Sequence, residues 1–357
     1  MRVTLFIGSL SGGGAERVVC SLANHLSKNH TVTVLTMANK KPIIELNPSI
    51  RVVSLLEKKT NFLSDNCRRY FSLKRYIKKK DADCYVAFLP KTICLLLHFR
   101  KLIGVPVIIS ERNYPPSYPF LGRFLLKHYA KLSDAVVCQT QSISEWYSGF
   151  VASKPYVIPN AINESFCCEE QKEPIFKKRI VAVGRLEKQK NYDLLIDSFS
   201  SLPNSLDEYT LEIYGEGSEK SRLISKIKKL KLTDRVVFKG FSYDIKESIL
   251  GASLYVLSSN YEGMPNTLME ALALGIPCIS TDCDGGGARF LIRNGYNGLL
   301  VSKNNKTDLT NAIIRVLSSP SFSSFLSKNA RGIIDDLNHS KIYSTWSDII
   351  TQVADRK

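Results

Sequence analysis

Short strand-like runs of aliphatic residues alternate along this whole chain with segments of helical apolar spacing, and that alternation points to βαβ units and mainly parallel sheets. In the first half, strands are expected over 2–7, 31–36, 51–54, 84–87, 106–109 and 135–139. The rhythm then restarts, with strands over 179–183, 210–214, 235–238, 254–257, 277–280 and 298–301. A chain of 357 residues exceeds the size at which single cores stop growing, so two domains are expected. The pattern lapses in the polar stretch 160–178, which places an N-terminal domain at 1–165, a C-terminal domain at 166–335 and a last segment at 336–357. The fold class is α/β, with two doubly wound domains in tandem facing a central cleft, and ligand is expected where strands present their carboxyl ends.

Several classes are disfavoured. No run of about 18 apolar residues occurs, so no membrane-spanning helix is expected. The opening Met-Arg-Val-Thr-Leu-Phe-Ile-Gly reads as a first strand rather than a signal peptide. Nine cysteines, an odd number without a C-x-x-C pair, fit cytosolic use as small buried hydrophobes, with Cys167 and Cys168 read as linker and no zinc site suggested. The net charge of +16 calls for an anionic partner. Arg68, Arg69, Lys74, Arg75, Lys78, Lys79 and Lys80 are basic, while Leu63, Tyr70, Leu73 and Ile77 recur at helical spacing. Such a helix suits an anionic membrane surface or anionic substrates; the alternative is a docked helix with its lysines in water. Nucleic acid is not supported, because basic and aromatic residues do not interleave.

The chemistry-bearing residues fall in loops after the expected strands. Glu262 and Glu270 stand eight positions apart in Tyr-Glu-Gly-Met-Pro-Asn-Thr-Leu-Met-Glu, the first in a loop and the second on a helix. Pro265 suits a first helical turn, and the N-terminus formed by Gly263, Met264, Asn266 and Thr267 offers N–H groups to a phosphate. A capped helix with two solvated glutamates is the plain alternative. Arg185 and Lys190 follow the 179–183 strand with Gly184, and two such cations can converge on a diphosphate. Gly13 and Gly14, ahead of a helix over 18–26, let backbone approach a ligand, although a tight turn uses glycine equally well. Gly215, Gly217, Phe238 and Gly240 close two further strands.

In this order the loops resemble those of retaining glycosyltransferase family 4, of the bacterial O-antigen and capsular polysaccharide type. The resemblance covers nearly the whole chain and is strongest over 184–301. It implies a GT-B architecture of two Rossmann-like domains, with a helix near 343–353 returning to the first. It further implies that Glu262 contacts the donor sugar, Glu270 the ribose, Arg185 and Lys190 the diphosphate, Gly215 and Gly217 a family turn, and Phe238 and Gly240 the nucleobase region. The Gly-Gly-Ala-Glu-Arg loop with Glu16 and Arg17 matches a family loop at the cleft. Many members carry a histidine after a late first-domain strand; here that place holds Glu111, Arg112 and Asn113, which become acceptor-side candidates. The implied reaction moves a hexose or N-acetylhexosamine from a nucleotide-sugar, probably a UDP-sugar, to a lipid-linked saccharide on the inner face of the cytoplasmic membrane. It needs no metal and no cofactor. The alternatives are a GT-B nucleotide-sugar epimerase and a non-catalytic sugar-nucleotide-binding partner subunit.

Overall fold

The computed structural model describes residues 1–57, 61–167 and 177–356. Cys168 and most of the expected boundary stretch lie outside the described residues. The chain divides into two compact units, Met1–Ala161 with His339–Lys357, and Ile162–Asn338.

The first unit holds a seven-stranded sheet of β1 (Arg2–Ile7), β2 (Thr31–Thr36), β3 (Arg51–Ser54), β4 (Cys84–Phe88), β5 (Val107–Ser110), β6 (Ala135–Cys138) and β7 (Tyr156–Val157). Every pairing is parallel, in the order β3-β2-β1-β4-β5-β6-β7. Parallel neighbours require crossover helices, and right-handed crossovers put those leading toward β7 on one face. Helices Phe62–Lys78, Pro90–His98, Phe120–Ala130 and Gln141–Ser148 accordingly share one core with Phe6, Tyr85 and Ile109. Helix Gly14–Leu26 packs instead against the last helix, His339–Ala354, whose Trp346 is fully buried.

The second unit repeats the scheme with six parallel strands: β8 (Lys177–Val183), β9 (Thr210–Tyr214), β10 (Val236–Gly240), β11 (Ala252–Leu257), β12 (Cys278–Thr281) and β13 (Leu299–Val301). Their order is β10-β9-β8-β11-β12-β13. Strand order reverses between β1 and β4 in the first sheet and between β8 and β11 in the second. In open α/β sheets a ligand crevice opens at such a point, beyond the carboxyl ends of the strands.

All twelve expected strands are present, β1, β2, β3 and β9 with the expected bounds and the other eight with shifted ends. β5 starts after Pro106, which has no N–H for a ladder, and runs to Ser110. β7 is an addition of two residues at the sheet edge, too short to leave a pattern. Helix Gly14–Leu26 begins four residues before its expected start, inside the glycine loop, with Gly13 at the capping position. On helix Phe62–Lys78 the buried stripe is Leu73, Tyr76 and Ile77; Leu63, expected in it, sits exposed in the first turn. Pro265 stands one position ahead of the helix, which starts at Asn266.

Candidate active site

The reversal point of the second sheet gathers the loops after β8 and β11. Asn260 N–H donates to the Gln189 carbonyl (2.8 Å), Gln189 Nε2 to the Tyr261 carbonyl (2.9 Å), and Ser258 Oγ to the Lys190 carbonyl (2.9 Å). Asn191, in the left-handed region at φ 48°, donates from Nδ2 to Asn260 Oδ1 at 3.1 Å. Laced in this way, the two loops bring Lys190 Nζ to 2.7 Å from Glu262 Oε1. Ser259 Oγ donates to that same oxygen at 2.7 Å. Both charged side chains are largely buried, so their attraction is little screened and each charge depends on the other.

Neighbouring loops wall this pair in. Gly215 adopts φ +141°, and a Cβ there would overlap the Gly184 carbonyl; Gly217 lies equally tight against Leu186. These glycines let the turn after β9 rest on the loop after β8. Gly215 N–H in turn donates to the Gly240 carbonyl at 2.7 Å. On the opposite flank, Glu262 N–H donates to the Asp284 carbonyl at 2.8 Å, and Gly287 leaves room for the Gly263 carbonyl and Pro265. Helix Asn266–Ala273 then leads away, its Thr267 Oγ1 accepting from the Tyr255 hydroxyl at 2.7 Å. Glu270 lies one turn in and is buried, as is Glu262, so neither is the solvated glutamate of a plain capped helix.

Two groups packed near Glu262 share its enclosure. Burial, with Glu262 adding to it, pushes the Cys283 thiol up to about 12. The Tyr192 hydroxyl is raised for the same two reasons while it donates to the Gly184 carbonyl at 3.0 Å. Arg185 differs from Lys190: it is exposed, and its Nη2 lies 3.4 Å from Gln189 Oε1. Of these two cations, the loop after β8 displays one and holds the other against a carboxylate. Met264 is buried beside Glu262, whereas Asn266 and Thr267 are half-buried. Phe238 packs against the core of the second unit.

In the first unit, the loop after β1 ends at Gly13, the helix opens on Gly14, and the Glu16 carboxylate folds over Gly13, where a Cβ would strike it. Arg17 N–H donates to the Gly13 carbonyl at 3.2 Å, closing the first helical turn. The residues after β5 are enclosed. Glu111 Oε1 accepts from the Arg112 and Asn113 N–H groups and from the Tyr118 hydroxyl at 2.8, 3.1 and 2.9 Å. Burial nevertheless pushes its carboxyl up to about 7. The Arg112 guanidinium lies beside the touching Phe88 and Trp346 rings, 6.0 and 5.8 Å from their centroids, and burial lowers its pKa to about 10. Of the three candidates here, Asn113 alone is partly exposed.

Sequence reasoning passed over Ser259, Asn260 and Tyr192. The signal was Ser-Ser-Asn directly after an apolar strand, where polar side chains must serve a loop rather than a ladder.

A family model described as Glycosyl transferases group 1 matches residues 169–333, and one described as Glycosyltransferase Family 4 matches residues 12–166. A Campylobacter jejuni protein named GalNAc-alpha-(1->4)-GalNAc-alpha-(1->3)-diNAcBac-PP-undecaprenol alpha-1,4-N-acetyl-D-galactosaminyltransferase is 28% identical over 362 residues, covering 99% of each chain. Among solved structures, a sucrose-phosphate synthase from Thermosynechococcus elongatus superposes with a TM-score of 0.86 at 19% identity, covering 100% of both chains. Anabaena HepE in complex with UDP gives 0.80 at 17% identity, over 99% of this chain and 100% of that one.

Proposed function

The chain is a family 4 glycosyltransferase of the GT-B fold, and from that premise we propose that it is a retaining enzyme of cell-surface polysaccharide synthesis. It moves a hexose or N-acetylhexosamine from a UDP-sugar to a hydroxyl of a lipid-linked saccharide. The observation that carries this reading is the buried Lys190–Glu262 pair at the reversal point of the second sheet, beside an exposed Arg185. The similar Campylobacter protein is named for transfer to a saccharide on PP-undecaprenol, which supports a lipid-linked acceptor. Neither the epimerase nor the binding-subunit alternative is favoured beside a transferase that matches over the full length.

In this reading the bond from the anomeric carbon to the diphosphate breaks while a bond to the acceptor oxygen forms on the same face. The acceptor proton passes to the departing phosphate oxygen. Negative charge grows on the leaving diphosphate, and fixed donors there give the largest electrostatic gain. Arg185, Lys190 and the N–H groups at Asn266 and Thr267 supply them. Glu262 holds the sugar hydroxyls and Glu270 the ribose. Because two cations already meet the diphosphate, no metal is required, and a chelator should leave turnover unchanged. The cations of helix Phe62–Lys78 and the two lysines after it hold the protein at an anionic membrane surface, where such an acceptor presents its sugars.

Incubation with a panel of UDP-, GDP- and dTDP-sugars and extracted lipid acceptor tests the reading. One UDP-sugar should give product with the anomeric configuration of the donor. Transfer from GDP- or dTDP-sugars alone would contradict the donor, and an inverted product the mechanism.

A further inference from the structure

At the carboxyl ends of β5 and β6, buried polar groups of the first unit stand without a hydrogen-bond partner. They are Ser110 Oγ, all three nitrogens of the Arg112 guanidinium, Gln139 Oε1 and Trp346 Nε1. Strand alternation gathers them. Ser110 pairs in register with Phe88 on one side and Val137 on the other, so these three side chains share a face of the sheet. Ala87, Ile109 and Cys138 belong to the core on the opposite face. Arg112 and Gln139 each follow two positions later, and the guanidinium lies 5.8 Å from the ring centroid of Trp346 on the last helix. Ser110 and Trp346 are 0% exposed, Gln139 2% and Arg112 9%.

Charge and hydrogen-bonding capacity both call for an anion here. Burial lowers the Arg112 pKa only to about 10, so the side chain stays ionised near neutral pH. A buried cation without a counter-charge is costly to hold in a fold. Among the described residues no carboxylate pairs with this guanidinium. Its neighbour Glu111 commits Oε1 to the Arg112 and Asn113 N–H groups and to the Tyr118 hydroxyl. The Phe88 and Trp346 rings attract the guanidinium, but a ring face carries no net charge. Donors also outnumber acceptors: guanidinium, indole and hydroxyl all donate, and Gln139 Oε1 is the one group of the set that only accepts.

We propose that Arg112, Ser110 and Trp346 bind one small inorganic monoanion, of the size of chloride, which ties the last helix to the first sheet. Enclosure sets the size. A phosphate ester or a carboxylate borne on a larger ligand cannot reach donors buried this deeply, whereas a bare halide has no preferred coordination geometry and accepts from three directions at once. An anion held by the folded unit alone stabilises it by mass action.

The test is urea unfolding in sodium chloride against sodium gluconate at equal ionic strength, followed by tryptophan fluorescence. Both tryptophans, Trp146 and Trp346, lie in the first unit. For wild type, each tenfold rise in chloride above its dissociation constant should shift the unfolding equilibrium about tenfold toward the folded state. Bromide should act as chloride does, and inorganic phosphate as gluconate does. Arg112→Met keeps the reach of the side chain without its charge and should lose the dependence. Trp346→Phe keeps a ring without the N–H and should weaken chloride binding roughly tenfold, the loss of one hydrogen bond to an ion. Equal wild-type stability in chloride and gluconate would overturn the proposal. So would a chloride effect kept in full by Arg112→Met, which would assign it to screening of the +16 chain. A phosphate effect as large as that of chloride would overturn the size limit. If Arg112→Met does not fold, Trp346→Phe decides, and a chloride dependence equal to wild type there contradicts the site.

Discussion

Lys190 Nζ and Glu262 Oε1, 72 residues apart in sequence, meet at 2.7 Å across the point where the second sheet reverses its strand order. The contact is made possible by backbone: the loops after β8 and β11 exchange hydrogen bonds through Gln189, Ser258 and Asn260 before either charge is placed. In the proposed reading, a donor entering here takes over part of each partner, its phosphates drawing Lys190 and its hydroxyls Glu262. Pairing with each other keeps both charges oriented at little reorganisation cost.

Removing one partner strands the other. Lys190→Ala leaves the Glu262 carboxylate with Ser259 as its donor in a dry setting, and should destabilise the second unit by about 3–5 kcal/mol. Adding Glu262→Gln should recover part of that loss, for a coupling of about 1–3 kcal/mol in a double-mutant cycle by urea unfolding. Additive losses would mean that the pair is not a unit.

Arg185 should behave in the opposite way. It is exposed, so Arg185→Ala should change stability by no more than about 0.5 kcal/mol. Turnover should nevertheless fall roughly ten- to a thousandfold, about 1.5–4 kcal/mol of transition-state stabilisation. Wild-type rates in this variant would remove Arg185 from the mechanism.

The two glutamates are separable by titration calorimetry with UDP alone. Glu270→Gln should weaken the nucleotide through its ribose, whereas Glu262→Gln should leave UDP binding near wild type and damage transfer. If Glu270→Gln binds UDP as wild type does, the ribose assignment is wrong.

Glu111 supplies a pH signature in the first unit. Burial raises its carboxyl from 4.5 to about 7, so between those values the folded chain holds a proton that the unfolded chain has released. Stability from this group is complete below the lower value and is lost as pH rises through the upper one. Glu111→Gln keeps an accepting oxygen for Tyr118 and the two N–H groups but cannot ionise. Its unfolding free energy should therefore fall less than that of wild type between about pH 5 and about pH 8. Parallel pH profiles would contradict the assignment.

Much of the fold was legible because buried parallel strands are written as apolar runs, uninterrupted and aliphatic in β5 and β6, and such runs announce themselves without knowledge of their partners. β7 escaped because two residues carry no period and Val157 is exposed. At the site, glycines and charged residues stood out by type and position after strands. Two things did not: the closure of Lys190 onto Glu262, which depends on register between strands far apart in sequence, and Ser259, an ordinary serine until β11 and β12 are folded and its carbonyl accepts from Thr281 Oγ1 at 2.6 Å. The enclosure of Arg112 was equally invisible, because the covering Trp346 arrives from a helix more than two hundred positions away.

The most direct test of the central claim, that the Lys190–Glu262 site expels a nucleotide as a sugar passes to a lipid-linked acceptor, is nucleotide release from a UDP-sugar with and without extracted lipid acceptor. Wild type should release UDP only with acceptor present, in step with glycolipid product, and Lys190→Ala should reduce both together by roughly ten- to a thousandfold. Equal release without acceptor, or a Lys190→Ala variant that turns over as wild type does, would contradict it.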